Sequence, residues 1–178
     1  MSITLVIDTS TSRTSVGIVQ EGVLMWSGFK DGATAHGPAL PALVQEAITD
    51  QSIDKVVVGM GPGPFTGLRI GIAFAQSFAL ARNIPVRGVC SLDAIAAQVN
   101  EKDFIITTDA RRKEVYWARY RDGVRVGEPT VSFPSAVIGA KVYADLYPDL
   151  LTMAALSGNI TEPIYLRHPD AVATVDRT

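Results

Sequence analysis

The feature that most limits what this chain can fold into is a pattern written twice. The strand-like run Ile3-Thr4-Leu5-Val6-Ile7 ends at Asp8, a polar loop follows, and a second run from Thr14 to Gln20 leads through Glu21-Gly22 into a third from Val23 to Phe29. From Phe104 the order returns: a run to Thr108, then Asp109, a loop, a run from Glu114 to Arg121, the turn Asp122-Gly123, and a run from Val124 to Phe133. Gly22 follows Asp8 by fourteen residues and Gly123 follows Asp109 by fourteen, so the two copies are offset by 101. Short β-branched runs bounded by turn residues read as strands, and an acidic residue followed by Gly suits a tight hairpin. Identity between the copies is slight, but four features in the same order argue for duplication. The chain is thus read as two related lobes, residues 1–100 and 101–178.

Between the copies the signals alternate. Leu40, Leu43, Val44, Ala47 and Ile48 recur at helical spacing, a single apolar stripe. Lys55 to Gly59 reads as a buried strand, Gly61-Pro62-Gly63-Pro64 as a rigid lead-in, and Thr66 to about Ala81 as a long helix with Thr66 as its N-cap. Pro85 to Cys90 reads as another strand, and Ser91 as the cap of a helix running to about Val99. Past Phe133 the signals weaken, with helix-compatible patches between Ala136 and Leu156 broken by Gly139 and Pro148, and a loop-like tail.

Composition narrows the function classes. With 47% apolar and 19% charged residues the 178-residue chain has ordinary globular character. It contains no uninterrupted apolar run of about 18–20 residues, so no spanning helix is expected, and the N-terminus lacks the pattern of a signal peptide. A cytosolic protein is expected. Net charge is −2 with a pI near 5.6, lacking the basic surplus of a protein that grips nucleic acid alone. The single cysteine, Cys90, excludes an internal disulfide, and His36 and His168 are too far apart in sequence to suggest a His-based metal centre. No cofactor is expected.

Three places invite chemistry. Asp8-Thr9-Ser10-Thr11-Ser12 could hold a metal-bound phosphate through the Asp8 carboxylate and the Thr9 and Ser10 donors, or simply satisfy a tight turn; the lack of any glycine between Asp8 and Gly17 favours the turn. Gly59 to Gly67 sits between a strand and a helix but lacks the Gly-Lys-Ser/Thr ending of a P-loop, and its prolines remove backbone donors. Arg111-Arg112-Lys113 could meet phosphate or merely solvate a loop. A hydrolase would need His36 and a serine, yet nothing resembles Gly-x-Ser-x-Gly. Trp26 and Trp117 read as core. In the long helix, Gly67, Gly71, Ala75 and Ala79 recur every four residues, a face almost without side chains. Two helix glycines cost about 1 kcal/mol each relative to alanine, so something needs the space. We read that face as a helix–helix contact, within or between chains; wholly covered by the chain's own sheet with no second subunit on it, it would overturn a scaffold reading that rests on this face.

Two copies of strand-strand-strand-helix facing each other resemble the plan of the actin-like ATPase and sugar-kinase (ribonuclease H-like) superfamily, an α/β fold of mixed sheets with flanking helices. The strings Val6-Ile7-Asp8-Thr9-Ser10-Thr11, His36 before Leu40-Pro41, Gly61-Pro62-Gly63-Pro64-Phe65-Thr66-Gly67-Leu68-Arg69-Ile70-Gly71, Ser91-Leu92-Asp93-Ala94 and Asp109-Ala110-Arg111-Arg112-Lys113-Glu114-Val115-Tyr116 occur in order. In that combination they resemble the TsaB (YeaZ) family, accessory subunits in bacterial synthesis of threonylcarbamoyladenosine in tRNA. Tyr165-Leu166-Arg167 is similar to the family's terminal motif. The resemblance implies a non-catalytic scaffold or activator that pairs with a TsaD-type catalytic paralogue, is joined by a TsaE-type P-loop ATPase, and can form a homodimer. It places the pairing surface on the two helices of the first lobe, here Leu40, Leu43 and Ala47 with Gly67, Leu68, Gly71, Ile72 and Ala75. Two departures stand out: Pro64 in place of a common serine, and a shorter second lobe, with the loss between about Pro134 and Ser157.

Overall fold

A computed structural model of the chain describes residues 2–48 and 52–167. The first lobe is a five-stranded mixed sheet in the order β3-β2-β1-β4-β5, formed by β1 (Ile3–Asp8), β2 (Arg13–Gln20), β3 (Val23–Asp31), β4 (Lys55–Gly59) and β5 (Val86–Val89). The hairpins β1-β2-β3 are antiparallel, whereas β4 lies parallel to β1 and β5 parallel to β4. Each parallel step needs a crossover, supplied by α1 (His36–Ala47) and α2 (Phe65–Arg82). Strand alternation then sorts the core. Leu5, Ile7, Val16, Ile18, Val56 and Val58 point to α1 and α2, which return Leu40, Val44, Leu68 and Ala75. Val6, Val19, Val57 and Val89 point to the opposite face, against α3 (Ser91–Ala96) and α4 (Leu150–Ala155). Fully burying one such aliphatic side chain is worth roughly 1.5–3 kcal/mol, so the two-sided β1 and β4 are the most stabilising strands of the lobe.

The second sheet, β8-β7-β6-β9, repeats the first with one strand fewer: β6 (Asp103–Asp109), β7 (Val115–Arg121), β8 (Val124–Ser132) and β9 (Lys141–Tyr143), with β9 parallel to β6 as β4 is to β1. The hairpin turns match in backbone as well as sequence: Glu21 and Gly22 have φ of 50° and 79°, Asp122 and Gly123 of 47° and 78°. Where the first lobe inserts α1 between its third and fourth strands, the second has only the 3₁₀ turn Pro134–Ala136. The reduction of this lobe is therefore concrete, and it leaves Val126, Ile138 and Val142 exposed. α3 lies between the sheets, with Leu92 and Ile95 packing on Phe104, Ile106 and Tyr120, and Ala94 on the first sheet.

Several expectations need correction. The C-terminal stretch, assigned above to the second lobe, folds back: Leu150 and Met153 of α4 pack on the first sheet, and Ile160 and Ile164 donate backbone N–H groups to Gly88 and Met60. Thr66 is not the cap of α2; Phe65 begins the helix and Pro64 takes the cap position with no side-chain bond. Ser91 does not cap α3 either, because its hydroxyl is engaged by Asp8. Trp26 and Trp117 are half-buried rather than enclosed. His168 and the tail after it lie outside the described residues.

The largest correction concerns the glycine–alanine face. Gly67, Leu68, Gly71, Ile72 and Ala75 are all buried within this chain, as are Leu40 and Ala47, and Leu43 packs half-buried against the same core. What needs the space is the loop after β1: a Cβ on Gly67 would stand 2.6 Å from the Thr9 carbonyl oxygen, and one on Gly71 would overlap the Thr9 hydroxyl. The outward surface of α2 instead carries Arg69, Ala73, Gln76, Ser77 and Leu80, flanked by half-buried Ile70, Phe74 and Phe78.

Candidate functional site

Asp8, Thr9 and Ser10 come together, but as a closed structure. β1, β4 and β5 are parallel neighbours, so their C-terminal ends meet at one edge, where Asp8, Gly59 and Ser91 lie side by side. The Asp8 side chain is 1% exposed. Its Oδ1 accepts the Ser10 N–H at 3.0 Å and the Ser10 hydroxyl at 2.8 Å, and its Oδ2 accepts the Ser91 hydroxyl at 2.6 Å. Burial raises its pKa above the usual carboxylate value, opposed by the hydrogen bonds from Ser91 and Ser10. The Thr9 hydroxyl donates to the Gly67 carbonyl at 2.7 Å, and Gly63 fits against the Ser10 carbonyl with no room for a side chain. The Gly-Pro lead-in to α2 thus lies directly on the loop. The N–H of Ser10, which a phosphate would need, is already spent on Asp8.

His36, opening α1, is also taken up internally: its Nδ1 is 2.8 Å from the Thr14 hydroxyl, and Thr14 is fully buried. Burial holds the imidazole pKa below its usual value, with the Arg111 charge adding in the same direction against a hydrogen bond from the ring to the Thr11 backbone. No substrate can reach the Thr14 hydroxyl, so the pair is not an accessible nucleophile and base. Cys90 is buried beside α3, its thiol pushed up to about 12 mainly by burial, and is therefore inert. Among the described residues no three His, Cys, Asp or Glu side chains group as metal ligands.

The matching loop of the second lobe is open. Asp109 is exposed and its Oδ1 accepts the Arg111 N–H at 2.9 Å. Arg111, Arg112 and Lys113 have φ of 63°, 53° and 62°, three successive left-handed residues, a conformation costing roughly 1–2 kcal/mol for each non-glycine residue. The tip is held by Ala110 N–H to Glu114 C=O and Glu114 N–H to Arg111 C=O, both 2.9 Å. At its base Glu114 pairs with Arg167. Between the two loops is a cavity of about 70 Å³ lined by Thr11, Ser12, Thr108, Asp109, Asp145, Leu146 and Tyr147. Its wall is braced by Arg13, whose guanidinium is stacked between the rings of Phe29 and Tyr147 at 3.9 and 3.8 Å and bonded to Asp31.

Sequence reasoning missed Ser91 as the partner of Asp8, Gly59 as the gap between them, and Thr14 as the partner of His36. The available signal was topological: residues ending consecutive parallel strands share an edge, so a polar residue at the end of one and just past the end of another can meet.

Comparison with known proteins agrees with this architecture. The family model described as TsaD, tRNA N6-adenosine threonylcarbamoyltransferase, matches residues 31–164. An uncharacterized Mycobacterium tuberculosis protein is 41% identical over 200 aligned positions, covering 96% of this chain and 94% of that one. That span exceeds the 178 residues of this chain, so the relative carries residues this chain lacks. The tRNA threonylcarbamoyladenosine biosynthesis protein TsaB of Escherichia coli is 35% identical, over 71% of this chain and 59% of its own length. The chain thus spans less than two thirds of that relative. The solved structure of YeaZ from Pseudomonas aeruginosa superposes with a TM-score of 0.73 at 26% identity, covering 87% of this chain and 90% of that one. By this match of sequence, repeat and fold, the chain belongs to the TsaB/YeaZ family.

Proposed function

We propose that this protein is a non-catalytic accessory subunit in the formation of threonylcarbamoyladenosine beside the tRNA anticodon. In this reading it works in the cytoplasm, pairing with a TsaD-type catalytic paralogue, with a TsaE-type P-loop ATPase joining the pair and a homodimer forming when the chain is alone. The observation that carries the non-catalytic part is the closed Asp8 loop. In the superfamily this fold resembles, the first hairpin cradles nucleotide phosphate; here its carboxylate is enclosed by Ser10 and Ser91, and α2 with its lead-in lies over it. The pairing surface is assigned to the outward side of α2 around Ala73, Ser77 and Leu80, which is 83% exposed. The half-buried Phe74 and Phe78 rings stack beside it at 6.1 Å, giving an apolar ridge for a partner helix.

Reconstitution of tRNA modification with and without this chain tests the reading. The catalytic partner is expected to modify tRNA efficiently only when the chain is present; equal modification in its absence overturns the accessory role. Calorimetry with Mg·ATP tests the closed loop: tight binding to the isolated chain that Asp8→Ala abolishes would show an autonomous nucleotide site instead.

A further inference from the structure

The loop Asp109–Lys113 is not explained by the closed Asp8 loop or by the outward side of α2. Three consecutive cations occupy three left-handed backbone positions, where glycine would relieve the strain, and all three are exposed. A merely solvated loop gains nothing from such a backbone, whereas a fixed turn presents its charges in one direction. The turn is held from below by Asp109, Ala110 and Glu114; the Asp109 carboxylate lies 3.8 Å from the Arg111 guanidinium and offsets part of the tip's charge, whereas Glu114 is paired with Arg167. The same C-terminal segment leads from the base of the turn to an aromatic surface. Two residues before Arg167, the ring of Tyr165 is 40% exposed and packs 5.0 Å from that of Phe65, over which the Arg69 guanidinium sits at 5.1 Å. A basic turn and an aromatic pair capped by Arg69 thus flank the Glu114–Arg167 pair, on a chain whose net charge is −2.

We infer that the Arg111-Arg112-Lys113 turn, continued by Tyr165 and Arg69, is a contact site for the phosphate backbone of RNA. This rests on the proposed role in tRNA modification and adds that the accessory chain touches the RNA itself. Cations spaced along a surface neutralise phosphates without reading sequence, and exposed aromatic rings between them offer stacking for unpaired bases. The acidic balance of the rest of the chain restricts this contact to RNA already held by a partner.

The test is binding of a fluorescently labelled unmodified tRNA transcript to the complex of this chain with its catalytic partner, measured over a series of KCl concentrations. Replacing all three residues (Arg111→Gln, Arg112→Gln, Lys113→Gln) is expected to weaken binding at low salt by roughly tenfold or more and to lower the salt slope by about three, one for each lost phosphate contact. Arg111→Lys with Arg112→Lys keeps the charge and is expected to bind as the wild type does. Should the triple variant misfold by circular dichroism, Lys113→Glu alone replaces it, with the same direction of change. An unchanged salt slope overturns the inference. So does a loss of co-purification with the partner at unchanged slope, which would make the turn a protein-docking element. If the wild-type chain adds nothing to the partner's tRNA affinity yet still stimulates modification, the RNA contact fails while the accessory role stands.

Discussion

The Ser91 hydroxyl donates to Asp8 Oδ2 at 2.6 Å across the end of β4, passing where a side chain on Gly59 would lie. Asp8 and Gly59 end two parallel strands and Ser91 lies just past the end of a third, and only glycine at the middle one lets the outer two meet. A Cβ at position 59 would overlap the Asp8 carboxylate and lie 2.6 Å from the Ser91 hydroxyl. Gly59→Ala is therefore expected to destabilise the fold by roughly 1–3 kcal/mol through overpacking, and Ser91→Ala by about 1–2 kcal/mol through loss of a donor to a buried acceptor. Urea unfolding of the two variants and their double variant checks this; additive losses would show that Gly59 does not act through the Asp8–Ser91 bond.

Asp8 makes the fold more stable in acid than its other carboxylates would suggest. Its folded pKa is raised above the ordinary aspartate value of 3.8, so the folded state binds the proton more tightly than the unfolded chain does. The contribution is largest below pH 3.8 and is lost as pH rises through the folded pKa. Asp8→Asn keeps an acceptor for Ser10 and removes this titration, so the variant's stability should vary less with pH in that range. Thermal unfolding across pH for both proteins reads it out, and parallel curves would contradict it.

His36 acts in the opposite direction. With a folded pKa below 6.5, the unfolded chain takes up a proton before the folded one does, so stability present above pH 6.5 is lost as pH falls from 6.5 through the folded value. His36→Gln removes the charging group and should flatten that limb of the curve. It loses packing against the Gly67 turn, so its stability at pH 8 falls while the pH dependence disappears. A variant that retains the wild-type limb would place the titration elsewhere.

Substitutions on the two sides of α2 should separate folding from assembly. Gly71→Val inserts a branched side chain against Thr9 and is expected to lower the stability of the isolated chain by at least 1–3 kcal/mol. Leu80→Arg, on an exposed position, should leave the unfolding free energy within about 0.5 kcal/mol of the wild type while reducing co-purification with the catalytic partner. Melting curves and pull-downs of the two variants decide it. A folded, stable Gly71→Val, or a Leu80→Arg that pairs at full strength, would reverse the assignment of the two faces.

The duplicated strand order, the hairpins at Glu21-Gly22 and Asp122-Gly123, the buried strand Lys55–Gly59 and the long helix after it were all determined by the sequence alone. Their signals are local: β-branched runs, positive-φ turn residues and helical spacing act over a few neighbours. The family strings were legible for the same reason.

Tertiary structure decided what those elements face. Helical spacing marks the side of α2 that is small and apolar, but a partner helix and the chain's own Thr9 loop call for the same residues, and only the folded chain shows that Thr9 fills the space. Ser91 looks like a helix cap because capping is a local property; its actual acceptor, Asp8, is 83 residues away and reaches it only once β1, β4 and β5 align. Asp8 and Asp109 are alike in sequence context, yet one is enclosed and the other faces solvent, because the lead-in to α2 covers the first loop and the reduced second lobe has no α2 to cover its own. Long-range burial, unlike turn or strand propensity, depends on which distant segment arrives, and that is settled by packing of the whole chain.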